Sequence, residues 1–249
     1  MTFEDHFSEQ AKLYAQSRPT YPPALFAYLA SLAPARDLAW DCGTGNGQAA
    51  LELAEHFRQV VATDASAEQI ENAFPHERVT YRVEAAEETS FAPHSVDLTT
   101  VGTAVHWFDF DAFYAEVRRV TKPGGVLAVW TYHLAIVEPA VDDLLERYYR
   151  QTLAGYWPER IRYLEERYRT LPFPLTEIDP PPFEMEADWD LNALLGFLNS
   201  WSATRRFLES EGRHPLVPLK DKLQEAWGDP EQKRHVRWPL HFRIGRVSP

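Results

Sequence analysis

Leu38-Ala39-Trp40-Asp41-Cys42-Gly43-Thr44-Gly45-Asn46-Gly47-Gln48 is the stretch on which the rest of the chain hangs. A short apolar run ends in an acid, and three glycines follow at alternate positions. The residues after them carry Ala50, Leu53, Ala54 and Phe57 on one helical stripe. Strand, glycine turn and helix in this order build a ligand crevice at the carboxyl edge of a parallel sheet. Glycine belongs where φ is positive or where a ligand presses on the main chain. Val60-Val61-Ala62-Thr63-Asp64 reads as a second strand closed by an acid, and a carboxylate there can accept both hydroxyls of a ribose.

The glycine spacing separates this turn from two common alternatives. A dinucleotide fingerprint needs G-x-G-x-x-G, and position 48 is Gln48. The phosphate loop G-x-x-x-x-G-K-[ST] is absent too. The pattern present, D-x-G-x-G-x-G, resembles the first motif of the class I S-adenosylmethionine-dependent methyltransferases. The resemblance implies an α/β, doubly wound, mostly parallel sheet of seven strands with an antiparallel last strand and a helical cap. It implies S-adenosylmethionine as cofactor and S-adenosylhomocysteine as product. It assigns Asp41, Gly43, Thr44, Gly45 and Gly47 to the cofactor's methionine part and Asp64 to its ribose. Ala65 and Gln69 would flank the adenine, with Gln69 replacing a more usual apolar residue. Glu84-Ala85-Ala86-Glu87-Glu88-Thr89-Ser90-Phe91 resembles the family's G-D-A-E-x-L-P-F segment, so Ala86 and Glu87 would line the adenine edge, and Ala85 stands where an aspartate is common.

The resemblance extends beyond the cofactor motifs. Asp97 to Thr103 reads as a fourth strand running into Ala104-Val105-His106-Trp107, where the family places the reacting centre. Thr103 is expected beside the cofactor. His106 is a candidate general base or substrate contact, and Trp107 a wall of the acceptor pocket. Lys122-Pro123-Gly124-Gly125 before the strand Val126 to Tyr132 is frequent in the family. Tyr14-Ala15-Gln16-Ser17-Arg18-Pro19-Thr20-Tyr21-Pro22 resembles a lid segment, which points Tyr14 and Arg18 at the cofactor carboxylate or the substrate. Ser200-Trp201-Ser202 resembles a stretch of the trans-aconitate methyltransferase branch and makes Trp201 a further candidate pocket wall.

Taken as one domain, the chain divides into N-terminal lid helices over 1–37, a cofactor core over 38–132, a helical insertion over 133–182 with helices near 138–153 and 158–170, and a C-terminal part over 183–249. In that last part Phe183 to Ala187 reads as the sixth strand, Asp190 to Leu198 as a helix, and His235 to Arg246 as one long alternating strand.

Composition narrows the partners. The net charge of −12, with no lysine or arginine run, argues against a nucleic-acid backbone. The single cysteine, Cys42, precludes an internal disulfide and suits a reducing compartment. The first ten residues lack a signal-peptide core and no apolar stretch approaches a membrane span, so a cytoplasmic protein without membrane contact is the expectation. The nine histidines are scattered, and no metal site is expected. The function expected is methyl transfer to a small-molecule acceptor, a carboxylate or a hydroxyl. The alternatives are an NAD(P)-type oxidoreductase and a cofactor-binding scaffold without turnover.

Overall fold

A computed structural model describes residues 19–247. It resolves into two compact units, one comprising residues 21–133, 162–183 and the chain from 239 onward, the other built from 134–161 and 184–238.

The first unit is built on a seven-stranded sheet. Its strands are β1 (Leu38–Cys42), β2 (Gln59–Asp64), β3 (Val79–Val83), β4 (Val96–Gly102), β5 (Thr121–Thr131), β6 (Thr176–Glu177) and β9 (His241–Arg246), in the order β3-β2-β1-β4-β5-β9-β6. β1 to β5 are mutually parallel, and β9 runs antiparallel to both β5 and β6. The order reverses at β1 and β4, which places a crevice at their carboxyl ends. The helices of this unit include α1 (Pro23–Leu32), α2 (Gln48–Ala54), α3 (Ala67–Glu71) and α4 (Phe110–Val120). Asp109 caps α4 by accepting from the Ala112 amide, and Phe113, Val117 and Val120 at helical spacing are fully buried. They pack with Trp40, Val101, Leu127 and Val129 of the strands in one apolar cluster. Each such side chain contributes about 1.5–3 kcal/mol by leaving water. At the opposite end of the strands, Asp97 accepts from the Asp37 and Leu38 amides and pairs with Lys122 at 2.7 Å, fixing where β1 and β5 start.

The second unit carries α5 (Pro139–Arg147), extended by a π turn over Tyr148–Thr152, then α7 (Leu191–Asn199), α8 (Ser202–Glu211) and α9 (Val217–Trp227), with β7 (Glu184–Trp189) and β8 (Arg234–Pro239) as a separate two-stranded sheet. Trp189, Trp238 and Phe197 form its aromatic centre, with Trp189 and Trp238 4.7 Å apart.

Three expectations are corrected. The segment read as the sixth strand, β7, lies outside the main sheet. The long strand read over His235 to Arg246 is two strands in different sheets. Pro239 has no amide hydrogen for a ladder, and the Leu240 amide donates to the Phe183 carbonyl instead, so the pairing partner changes there while the alternation of buried residues runs on. Between 158 and 170 only Arg162–Glu165 (α6) is α-helical. Arg167 and Tyr168 follow with φ of 57° and 58°, left-handed values that end the helix.

Candidate active site

The glycine turn joins β1 to α2 at the carboxyl edge of the sheet. Gly43, Gly45 and Gly47 all have positive φ, at 66°, 56° and 92°. The amides of Gly43 and Thr44 both donate to the Thr63 carbonyl of β2, which folds the turn back on the sheet. The three glycines serve different ends. A Cβ on Gly43 would sit 2.6 Å from the Ala104 Cβ, and one on Gly47 would sit 2.2 Å from the Tyr81 hydroxyl. Packing against the start of the 104–108 turn therefore demands glycine at Gly43, whereas at Gly47 the φ of 92° demands it and a side chain would also have to displace the end of Tyr81. A Cβ on Gly45 would have only the end of Gln69 within 4 Å, at 3.8 Å, so that face of the turn is open.

Two acids frame the turn. Asp41 is buried and accepts from Thr44 Oγ1 at 2.5 Å and Thr100 Oγ1 at 2.8 Å. Burial pushes its carboxyl up to about 6; the hydroxyls of Thr44 and Thr100 oppose that rise, and the Asp64 charge adds to it. Near neutral pH it is a mostly ionised, buried anion, which makes the turn a favourable place for a cationic group. Asp64 ends β2 and braces the turn: Oδ2 accepts from the Gly45 amide and Oδ1 from the Ser66 amide, both at 2.9 Å. Each oxygen keeps a further lone-pair site. Ser66 Oγ then caps α3 through the Gln69 amide, which fixes Gln69 on the first turn of that helix, and Ala65 is exposed beside it.

The loop over 84–91 is tied to α4. Glu116 is nearly buried and accepts from the Thr89 amide, from Thr89 Oγ1 and, twice, from Arg119, which also donates to the Phe91 and Thr89 carbonyls. Burial raises the Glu116 carboxyl, but the bonds from Arg119 and Thr89 outweigh it and hold it below its usual range. Glu87 accepts from the Asp109 amide at 2.8 Å, linking the same loop to the cap of α4, and Ala86 is buried.

Beyond β4 the chain turns sharply. Thr103 has φ of 55°, and its amide donates to the Trp130 carbonyl. A Cβ on Gly102 would lie 3.0 Å from the Tyr21 hydroxyl, so Tyr21 reaches over the end of β4. A 3-10 turn over Val105–Trp107 follows. It buries His106, at 2% exposure, and leaves Trp107 half exposed, at 50%. His106 Nδ1 is 2.9 Å from the Tyr168 hydroxyl, and its ring lies 4.7 Å from that of Trp107.

The residues fit an S-adenosyl group. Gly45 offers an open, Cβ-free face, Asp64 has lone pairs to spare, and Thr103 Oγ1 is buried without a hydrogen-bond partner among the described residues. Such an orphaned polar atom awaits a partner. The structure brings Asp41, Gly43, Thr44, Gly45, Asp64, Gln69 and Thr103 to one sheet edge. Gly47 is turned to Tyr81. Trp201 belongs to the second unit, where it packs with Tyr148, Tyr149, Trp157 and Phe197. Tyr14 and Arg18 lie outside the described residues. Sequence reasoning missed Tyr21 and Tyr168. Tyr21 carried a signal, because it lies in the Y-x-x-x-R-P-x-Y-P segment; Tyr168 carried none, being 62 residues from His106. Among the described residues no group of His, Cys, Asp and Glu could hold a metal ion, and no helix is long and apolar enough to cross a membrane.

Residues 40–129 match the model of a methyltransferase domain. A Dictyostelium discoideum protein named as a methyltransferase is 32% identical over 229 residues, spanning 90% of this chain and 87% of that one. The solved structure of an Anaeromyxobacter dehalogenans protein assigned as a type II methyltransferase is 48% identical, with a TM-score of 0.87 over 93% of this chain and 99% of that one. The YcgJ protein of Bacillus subtilis, 18% identical with a TM-score of 0.52 over 90% of this chain and 98% of that one, shares the fold.

Proposed function

Given that this chain belongs to the class I S-adenosylmethionine-dependent methyltransferases, we propose that its methyl acceptor is a small molecule presenting a carboxylate or hydroxyl oxygen at His106. The oxidoreductase alternative falls with that membership. The observation that carries the acceptor reading is the burial of His106 at the end of β4, with the half-exposed Trp107 ring against it. A reacting group this deep suits a molecule that can enter a crevice better than a protein side chain or a nucleic-acid strand. The net charge of −12 weighs in the same direction.

In this reading the backbone of Gly43, Thr44 and Gly45 carries the cofactor's amino-acid end, beside the Asp41 anion. Asp64 takes the ribose hydroxyls with the lone pairs left by Gly45 and Ser66. Ala65 and Gln69 flank the adenine, while Ala86 and the Glu87 oxygen not engaged by Asp109 line its edge. Thr103 Oγ1 gives its unpaired hydrogen-bonding capacity to the bound group. When bound, S-adenosylmethionine supplies an electrophilic methyl group that needs no further activation. The chain's task is then to align the acceptor and exclude water. A carboxylate needs no base, whereas a hydroxyl must lose its proton, and in this reading His106 receives it.

A product-release assay over small carboxylic acids and small alcohols or phenols tests this. At least one acceptor is expected to turn over, with His106→Ala lowering kcat/KM by roughly a hundredfold for a hydroxyl. Turnover of peptides or RNA with none of the small acceptors would overturn it.

A further inference from the structure

The buried anion beneath the glycine turn draws one of its hydrogen bonds from outside the turn. Asp41 and Thr100 are ladder partners, directly opposite one another on β1 and β4. Both are buried, at 1% and 0% exposure. Thr100 Oγ1 lies 2.8 Å from Asp41 Oδ1 and 3.5 Å from the Trp40 carbonyl. A hydroxyl has a single proton to give, and the nearer, charged acceptor takes it. On its other flank the ladder partner of Asp41 is Ala62 of β2, which has no side-chain donor. Thr44 Oγ1 serves the second oxygen, Oδ2, at 2.5 Å. One carboxylate oxygen is thus held by the turn and the other by the sheet.

The charge on Asp41 is finely balanced. Burial raises its carboxyl to about 6, the negative Asp64 at the end of β2 adds to the rise, and the hydroxyls of Thr44 and Thr100 oppose it. The other titratable groups around it are neutral in that range. Burial pushes the Cys42 thiol beside it on β1 well up, and the Tyr81 phenol on β3 up to about 12. The helix after the turn, α2, opens with Gln48, Ala49 and Ala50, none of them titratable. A bond to the charged form of a carboxylate favours that form, so losing the Thr100 hydroxyl tips Asp41 towards its neutral state. The amino-acid end of the cofactor carries an ammonium group, and a neutral carboxyl gives it no Coulombic attraction.

We propose that Thr100 is a positioning residue for the cofactor, holding Asp41 in its ionised form beneath the glycine turn and so setting the pH range in which S-adenosylmethionine binds. This deepens the reading of the turn as the cofactor's seat and rests on it. Thr100 acts only through Asp41. Where Asp41 is part protonated, binding expels its proton to water.

Calorimetric titration of S-adenosylhomocysteine between pH 5 and 8 tests this on the wild type, Thr100→Val and Thr100→Ser. Wild-type affinity is expected to hold from pH 8 to 7 and to fall as pH drops through about 6. Valine keeps the shape and removes the bond to the charged oxygen, so this acid limb should move up by roughly one pH unit. The affinity lost is then about fivefold at pH 6 and close to none at pH 8. Serine keeps the hydroxyl and should restore the wild-type limb. In an Asp41→Asn background, Thr100→Val should change affinity little at any pH. In the wild type at pH 6, buffers of different ionisation heat should report release of about half a proton per site. A Thr100→Val deficit equal at pH 6 and pH 8, an unmoved limb, or wild-type binding at pH 6 without proton release would overturn the proposal and leave the reading of the turn standing. Should Thr100→Val not fold, the wild-type proton release decides. No binding by the wild type at pH 8 would sink the reading of the turn itself.

Discussion

Single residues at the glycine turn divide between packing and binding, and substitution should separate the two. Gly47→Ala drives a methyl group into the Tyr81 hydroxyl at 2.2 Å and strains a φ of 92°. A loss of roughly 2–3 kcal/mol in stability is expected, from left-handed strain and the displaced Tyr81 hydrogen bond, with a lowered Tm. Gly45→Ala meets open space and adds only left-handed strain, about 1–2 kcal/mol. It should fold, yet bind S-adenosylhomocysteine far more weakly. Thermal melts and calorimetry on the two variants check the contrast. Asp41 gives a pH signature at the same scale. Its folded carboxyl titrates near 6 against an ordinary 3.8, so the folded state holds the proton more tightly and stability falls as pH rises between those values. Asp41→Asn removes the buried charge. Without ligand it should be more stable than wild type by about 1–3 kcal/mol at pH 7 to 8, a gap that closes towards pH 4. A constant offset across that range, read from melts at several pH values, would refute this account of Asp41.

At the scale of elements, the loop over 84–91 is stapled to α4 through Glu116 and Arg119. Removing the buried carboxylate in Glu116→Ala orphans the Thr89 amide and takes from Arg119 its carboxylate partner, leaving it only the Phe91 and Thr89 carbonyls. About 1–3 kcal/mol of stability should go with it. The Glu116 carboxyl is held low in the folded state, so its contribution is present above the ordinary glutamate range and is lost as pH falls below it. The Glu116→Ala deficit, followed by melts at several pH values, should therefore shrink in acid. The elements differ in how far sequence revealed them. β1, its turn and α2 were legible because the hydrophobic period changes at the glycines, and Asp64 was legible because β2 ends in an acid. The break in the strand after Pro239 was not, since Val236, Trp238, Leu240 and Ile244 keep one alternation while the pairing partner changes. The loop at Arg167 and Tyr168 was hidden for another reason: charged and aromatic residues there mimic a helix, and the Arg243 guanidinium, which binds the Tyr168 carbonyl and decides otherwise, lies 75 residues away in sequence. Local pattern carries no record of such contacts.

For the whole molecule, sequence brought the glycine turn and its two acids to one sheet edge, as the structure has them, but carried no sign of the contact between His106 and Tyr168. The cofactor face is a run of backbone turns whose residue types are dictated by geometry. The proposed acceptor side gathers Tyr21, His106 and Tyr168 beyond the end of β4, and only folding creates their proximity. Ligand linkage should be visible globally. S-adenosylhomocysteine at a hundred times its Kd adds about 2.7 kcal/mol to stability, which for a chain of this size raises Tm by about 5–10 °C. A shift from nicotinamide dinucleotides of the same size, with none from S-adenosylhomocysteine, would contradict the assignment of the turn.

The central claim is that the glycine turn and Asp64 together hold the cofactor. Calorimetric titration of S-adenosylhomocysteine into the wild type and into Asp64→Asn tests it most directly. Asparagine preserves one side-chain oxygen to brace the turn and removes the charge that the ribose hydroxyls need. The expected result is one site per chain in the wild type and at least a roughly tenfold weaker site, about 1.4 kcal/mol, in the variant, which still folds with Tm lowered by the loss of one of the two amide bonds. Absence of binding to the wild type, or equal affinity in both proteins, would contradict it.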